Sequence, residues 1–516
     1  MKLATSVQMR ELDRQAIEVQ GVPSLDLMER AAAEVAAEVL ELLPGRGKRY
    51  RVSVFCGAGN NGGDGIAAAR RLFLAGVCVR VFLVGEYEKL TPDAMAEAGL
   101  LSECGVELER YEPEDRDQSS WVRSSSVLVD ALFGVGLSRE IDPASRFAAA
   151  VDLMNGCRGK VVSADIASGV AADTGKILGC AVRAERTVTF TLPKIGQYVG
   201  DGAVYSGQVR TADIGIPADL VRKAVCSAQT VEAPFVRAAL PERRVDGHKG
   251  TFGKLLIVGG AVGYTGAPYL AASAAVRSGC GLVYLGVPES IWEIETVRSV
   301  SAMPFPLADR SGKLRWKAAG AILERLRDCD VLALGPGLGR SEETGRLVRT
   351  LLEEVEKPVV LDADGINALE GHIDSLDARR GRVTVLTPHD VEFLRAGGEL
   401  GTGDRLGAAR RYAQAHGCVL VLKGHRTVVA MPGGNVLVNT TGGSGLAKGG
   451  SGDVLTGLIG SLLAQGASPA QAAAAGVWLH GRAGDLAEVR LTAYCVTPED
   501  VIAGFPEAFR EVMPMA

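Results

Sequence analysis

The chain of 516 residues carries a net charge of −5, with 47% hydrophobic and 23% charged residues, the balance of an ordinary globular protein with room for two to four domains of roughly 100–200 residues. It has no dense lysine and arginine stripe and no run of about 18 apolar residues, which argues against nucleic acid as a partner and against a membrane span. Its ten cysteines stand singly, without a Cys-x-x-Cys pair, and its opening segment lacks the apolar core of a secretory signal, so reduced thiols in a cytoplasmic enzyme are expected rather than zinc sites or disulfides.

In chain order, MRELDRQAIEVQGVPSLDLMERAAAEVAAEVLELL predicts two helices broken at Gly21-Val22-Pro23. The apolar run RVSVFC predicts a strand, GAGNNGGDG (Gly57 to Gly65) a glycine loop, IAAARRLFLAG a helix and VCVRVFLVG a second strand. Continuous apolar runs in SSVLVDALFG, GKVVSADIASG and RTVTFTL suit strands of a sheet covered on both faces. Residues 1–216 therefore read as a doubly wound α/β domain. Prolines and mixed charge mark residues 217–243 as a linker. Residues 244–516 read as a second α/β domain. It opens with GKLLIVGGAVGYTGAPYLAASAAVRSGCGLVYLGVP and continues through strands in CDVLALGPG, KPVVLDADG, GRVTVLTPH and CVLVLKGHRTVVAMPGGNVLVN. A glycine loop and an apolar helix follow in TGGSGLAKGGSGDVLTGLIGSLLAQG.

Glycine costs backbone entropy, so clusters among the 65 glycines need a turn or a ligand that approaches the backbone closely. The late loop puts Gly449, Gly450, Ser451, Gly452 and Asp453 where a helix begins, and free N–H groups with the helix dipole favour an anion there. Asp453 is either a cap of that helix or a general base that takes a proton from a substrate hydroxyl during phosphate transfer. No Lys-Ser/Thr pair closes the loop, so it is not the Gly-Lys-Ser/Thr phosphate loop. In the early loop Gly57, Gly59 and Gly62 fit a Gly-x-Gly-x-x-Gly pattern, which taken alone would point to a dehydrogenase.

GLAKGGSGDVLTG resembles the glycine loop and aspartate of the ribokinase-like superfamily. Together with HKGTFGKLLIVGG, GYTGAPYLAASAAVRSGCGLV, LGPGLG, LDADGINAL, LTPHDVEF and LKGHRTVV, it resembles the NAD(P)H-hydrate dehydratase family, in family order over most of Arg244 to Phe505. GAGNNGGDG, VDALFGVGLSREI and SADIASGV resemble the NAD(P)H-hydrate epimerase family over most of residues 1–216, with Ala167 where a proline is expected. The resemblance implies a Rossmann-like doubly wound domain followed by a ribokinase-like α/β domain, joined in a bifunctional nicotinamide nucleotide repair protein.

In the first domain the resemblance implies that Asn60, Asn61, Gly62, Gly63 and Asp64 cradle the damaged cofactor. It implies that Gly134, Val135, Gly136, Leu137, Ser138, Arg139 and Glu140 wrap it, and that Asn61, Asp130 and Ser168 hold potassium. Asp165 is expected nearest the reacting ring, since it ends the run GKVVSAD where open α/β sheets place ligands; its plainer reading is an Asx turn after a strand. In the second domain the resemblance assigns the hydrate to Ala267, Gly337, His389 and Asp453. It assigns the nucleotide to Lys423, Gly424, His425, Arg426 and Thr427 and to the loop Gly449, Gly450, Ser451 and Gly452. Without the resemblance His389 reads as a structural histidine beside a proline turn. Lys423, ending an apolar strand, suits a reach to phosphate oxygens better than a surface position.

The implied substrates are NADHX and NADPHX, the reduced cofactors hydrated at ring carbon 6 as S and R epimers. One domain would interconvert the epimers, and the other would phosphorylate the hydroxyl of the S form so that phosphate departs in place of hydroxide. ADP is the expected donor, ATP the alternative, and magnesium would offset the phosphate charge. The rival reading is a ribokinase-like small-molecule kinase fused to a binding module, distinguished by a stable phosphorylated product. A homo-oligomer without nucleic-acid or membrane partners is expected.

Overall fold

Helices α1 (Ser6–Arg14) and α2 (Ser24–Leu42) flank the predicted break, and α1 runs directly into a π-helical turn at Gln15–Val19. Thr5 and Gln8 close a reciprocal cap on α1: the Thr5 hydroxyl accepts from the Gln8 N–H, and the Gln8 carboxamide accepts from the Thr5 N–H. The computed structural model describes residues 1–43, 50–401 and 403–513. The chain divides into two compact units, Lys2–Ala228 and, with Met1, Gln229–Ala516.

In the first unit, β1 (Arg51–Cys56), β2 (Cys78–Leu83), β3 (Leu108–Arg110), β4 (Val127–Ala131), β5 (Lys160–Ala164), β6 (Arg186–Phe190) and β7 (Gln208–Ala212) form a seven-stranded sheet in the order β3-β2-β1-β4-β5-β6-β7. Every pairing in it is parallel. Along β1, Val52, Val54 and Cys56 pack under α2 and α3 (Asn60–Leu74), while Phe55 joins a second core with Phe82 and Leu128. Both faces are covered, which is why the strands read as continuous apolar runs. Strand order reverses between β1 and β4, so a crevice opens beyond their carboxyl ends.

The early glycine stretch differs from the expected loop. Only Gly57–Gly59 form a turn, and α3 already begins at Asn60. Gly62, Gly63 and Gly65 are buried within the helix, where glycine is a poor helix former. Packing explains them: a Cβ on Gly62 would lie 1.8 Å from the Gly57 carbonyl oxygen, and one on Gly65 would lie 2.5 Å from Ala131 Cβ. Gly62→Ala is therefore expected to destabilise the first unit by about 1–3 kcal/mol through overpacking, read as a lower denaturation midpoint of the full chain.

In the second unit, β8 (Lys254–Val258), β9 (Leu282–Pro288), β10 (Met303–Leu307), β11 (Val331–Leu334), β12 (Val359–Leu361), β13 (Thr384–Leu386), β14 (Val419–Leu422), β15 (Val428–Ala430) and β16 (Val436–Val438) run in the order β16-β15-β14-β13-β12-β11-β8-β9-β10. The pairings from β10 through β14 are parallel, and β14-β15-β16 is an antiparallel meander. Helices α4 (Gly266–Arg277), α6 (Ser451–Ala464) and α7 (Pro469–Leu491) pack in one core with this sheet; the short α5 (Asp390–Arg395) follows β13. The segment predicted as a linker carries two short helices. Ala218–Lys223 is tied to the first unit through Lys2, whose ammonium donates to the Val221 and Ala224 carbonyls. Ala233–Ala239 buries Val236 in the second. Among the described residues no helix is long and apolar enough to cross a membrane.

Candidate active sites

The crevice of the first unit holds a cavity of about 770 Å³. Gly57–Asn61 and Asp64 line it from the α3 side, Leu132–Arg139 from the loop after β4, and Met9, Arg10, Asp13 and Ile17 from α1 and the turn after it. Asp165, Phe190 and Lys194 complete the wall. Of the residues expected here, Gly62, Gly63 and Glu140 do not line the cavity; Glu140 is exposed, 3.4 Å from the Lys176 ammonium.

Asp165 adopts a left-handed backbone, φ 65°, an uncommon conformation outside glycine that turns up at active sites. Its carboxylate is ion-paired with Lys194, which is 1% exposed, and accepts from the Phe190 N–H at 3.2 Å. Lys194 also donates to Thr189 Oγ1 at 2.9 Å, and Gln197 donates to the Asp165 carbonyl at 2.8 Å. Burial, reinforced by the charges of Asp165 and Asp13, pushes the Asp64 carboxyl well above the usual carboxylate range. Burial and the Asp165 charge push Asp13 up to about 6, against the pull of Lys194.

Asp130, at the end of β4, is fully buried. It accepts from Ser163 Oγ at 2.7 Å, from the Ser168 N–H at 2.8 Å and from the Leu132 N–H at 3.3 Å. These donors are neutral, and among the described residues no cationic side chain pairs with it. Ser168 Oγ accepts from the Phe133 N–H at 2.9 Å, and Asn61, packed beside Gly134, has a buried amide nitrogen without a partner. A fully buried carboxylate beside the hydroxyls of Ser163 and Ser168, with no cationic side chain among the described residues to pair it, fits a hard cation.

In the second unit the site lies where β11, β12, β13 and β14 end. Gly337 and Ala267 meet: a Cβ on Gly337 would lie 2.9 Å from that of Ala267. Asp362, following β12, is 1% exposed and accepts from Lys423 Nζ at 2.9 Å, Thr387 Oγ1 at 2.7 Å and Thr456 Oγ1 at 2.7 Å. Lys423 lies 3.6 Å from Glu392, and beside Gly452, whose Cβ would lie 3.2 Å from its nitrogen. Burial works to lower the Lys423 pKa, but Asp362, Glu392 and Asp453 outweigh it and raise it.

The N-cap of α6 is Gly450, left-handed at φ 96°, with no side-chain cap. Asp453 stands in the first turn, and burial plus the Asp362 charge push it up to about 7 although Lys423 pulls the other way. Behind the loop, Asp485 accepts from the Gly442 N–H at 3.0 Å, Glu488 accepts from the Gly445 N–H, and Ser451 Oγ lies 3.5 Å from His480 Nε2. Lys448, in the loop, donates to the Tyr494 carbonyl at 2.7 Å. Residues Lys423 to Thr427 form the β14–β15 turn, with the Thr427 hydroxyl donating to the Gly424 carbonyl and Arg426 donating to the Thr440 carbonyl just before the glycine loop. Burial and Arg426 lower the His425 pKa.

His389 is the N-cap of α5: its Nδ1 accepts from the Val391 and Glu392 N–H groups at 3.1 and 3.3 Å. Its side chain is half-exposed, leaving Nε2 facing Glu392 at 3.4 Å. Reading the sequence did not single out Lys194, Asp13, Asp362, Glu392, Thr456 or the loop-bracing Asp485 and Glu488.

Two family models match the chain: the YjeF-related protein N-terminus over residues 24–196, and NAD(P)H-hydrate dehydratase over residues 255–506. The bifunctional NAD(P)H-hydrate repair enzyme Nnr of Moorella thermoacetica is 39% identical over 99% of this chain and 97% of its own length. The chain belongs to the bifunctional NAD(P)H-hydrate repair enzymes. A second such repair enzyme, from Salinibacter ruber, is 39% identical over 93% of this chain and 91% of its own. An ADP/ATP-dependent NAD(P)H-hydrate dehydratase of Bacillus subtilis, solved with ATP and magnesium, is 31% identical over 55% of this chain and 99% of its own, at a TM-score of 0.46. In this repair enzyme the two matched segments fall one within each compact unit.

Proposed function

We propose that the chain repairs hydrated NADH and NADPH: the first unit interconverts the S and R epimers, and the second returns the S form to the reduced cofactor at the expense of a nucleotide. The observation that carries the second step is Asp453, set in the first turn of α6 after the glycine loop, not serving as that helix's cap, and near enough to Lys423 for each charge to act on the other. In this reading Ala267, Gly337 and His389 seat the hydrate, and the loop Gly449–Gly452 with Lys423–Thr427 seats the magnesium complex of ADP, with ATP as the alternative donor. Asp453 takes the proton of the ring hydroxyl as that oxygen attacks the terminal phosphate. The C6–O bond of that ester then breaks, phosphate departs with the bonding pair as the N1 lone pair assists, and loss of a C5 proton to solvent restores the C5=C6 double bond, leaving the reduced cofactor, free phosphate and the nucleotide shortened by one phosphate.

In the first unit Asn60, Asn61 and Asp64 with the loop Gly134–Arg139 hold the cofactor, and Asp165 lies at the ring. Asn61, Asp130 and Ser168 would hold a potassium ion, which would balance the buried Asp130 charge. The test is purified protein with mixed epimers, magnesium and either ADP or ATP, followed by the absorbance of the reduced ring. Accumulation of a stable phosphorylated product would instead indicate a small-molecule kinase.

The pH dependence of the second step carries its own sign. A general base works ionised, so kcat/KM for dehydration is expected to rise about tenfold per unit as pH increases toward about 7, where Asp453 titrates, and then to level off. A profile flat from pH about 5 to 8 would remove Asp453 from that role.

A further inference from the structure

The cavity of the first unit contains a carboxyl that no family motif reaches. Asp13 lies on α1, before the matched segment that begins at residue 24. Met9, Asp13 and Ile17 are spaced four residues apart, and all line the cavity. The lead-in to α1 is fastened to the loop that carries Lys194: the Ala4 N–H donates to the Pro193 carbonyl at 2.8 Å, and the Ile195 N–H donates to the Ala4 carbonyl at 3.1 Å. The Ser6 N–H is held by Asp173 at 2.6 Å. Asp13 thus lines the same cavity wall as the Asp165–Lys194 pair, on a helix whose lead-in is tied to the Lys194 loop. It is half-buried, and among the described residues it has no hydrogen-bond or ion-pair partner.

We propose that Asp13 is a catalytic acid of the epimerase site, working with Asp165 as the base. This rests on the epimerase reading above. Inversion at a ring carbon that bears a hydroxyl and adjoins nitrogen requires that the hydroxyl leave and return on the other face. Asp13 gives its proton to the hydroxyl as the C6–O bond breaks; the bonding pair leaves with oxygen as water, and the N1 lone pair forms the C6=N1 double bond. A solvent water then adds to C6 from the opposite face, the double-bond electrons return to N1, and the proton of that water goes to the Asp165 carboxylate. Asp13 ends ionised and Asp165 protonated, the state from which the opposite epimer is inverted with the roles exchanged. Two carboxyls in unlike surroundings, one ion-paired with Lys194 and one unpaired, supply the acid and the base. The raised affinity of Asp13 for its proton agrees with the acid role. The charged side chains sharing its cavity are Arg10, Asp64, Asp93, Arg139, Asp165 and Lys194.

The test is Asp13→Asn and Asp13→Glu in the full chain, with epimer inversion followed without nucleotide and dehydration followed with it. Asp13→Asn is expected to lower kcat for inversion by about 10²–10⁴-fold, leave KM within about threefold, and leave consumption of the S epimer unchanged. Asp13→Glu is expected to recover part of the rate and the fall in rate toward alkaline pH that an acid imposes. In isotopically labelled water each inversion should place one solvent oxygen on C6. Inversion by Asp13→Asn at the wild-type rate, or inversion that keeps the original oxygen, would overturn the proposal. Wild-type protein that inverts neither epimer would overturn the epimerase reading itself.

Discussion

Asp453→Asn is expected to lower nucleotide-dependent repair by about 10²–10⁴-fold, the usual cost of losing a positioned general base, while the protein stays folded. The structure separates the two roles open to this residue. Gly450, not Asp453, is the N-cap of α6, and no side chain caps it. Asparagine therefore removes little capping, and it relieves the repulsion from Asp362 and Glu392 that raises the Asp453 pKa. Nucleotide affinity, measured by direct titration, should hold within about threefold, and single-turnover dehydration should collapse. Turnover close to wild type would leave Asp453 as a residue of helix geometry alone.

Lys194→Met is expected to have the largest effect on the first unit. Lys194 is 1% exposed and Asp165 is 12% exposed at the side chain, so removing the ammonium strands a carboxylate in a poorly solvated wall. Breaking a buried pair from one side costs about 3–5 kcal/mol. Epimer inversion should be lost, while dehydration of the S form persists. The double variant Lys194→Met with Asp165→Asn separates charge from shape: it should regain much of the lost stability without regaining inversion. If the single variant unfolds at the wild-type denaturant concentration, the pair does not carry the stability assigned to it.

Much of this architecture is legible in the sequence. Continuous apolar runs placed the central strands of both sheets, because both faces are covered there, while the edge strands β3, β7 and β10, only partly buried, were not singled out; the break at Gly21–Pro23 fell where helix chemistry put it. The late glycine loop ends at a helix start, and Asp453 falls in the first turn. The early glycines were harder to read. A ligand loop and a helix jammed against a turn both call for residues without side chains, and only the position of the Gly57 carbonyl distinguishes them. Asp362 was hidden in LDADG, where an aspartate after a strand looks like a turn; its partners Lys423, Thr387 and Thr456 come from three other stretches of chain. Lys194 in TLPKIGQ reads as a surface lysine, and Asp13 as the solvent side of an amphipathic helix. Their meaning depends on a fold that brings residue 4 beside residue 194.

The ten cysteines are free thiols, and they differ sharply in access. Burial pushes Cys280 and Cys329 up to about 11 and Cys418 up to about 12, so thiol-seeking reagents find almost no thiolate there at neutral pH. Cys495 is exposed, and it follows Tyr494, whose carbonyl holds Lys448 of the glycine loop. The native sequence thus carries its own attachment point for a fluorescent dye, next to the loop proposed to grip the nucleotide, where an environment-sensitive label would register loop movement optically without any engineered residue.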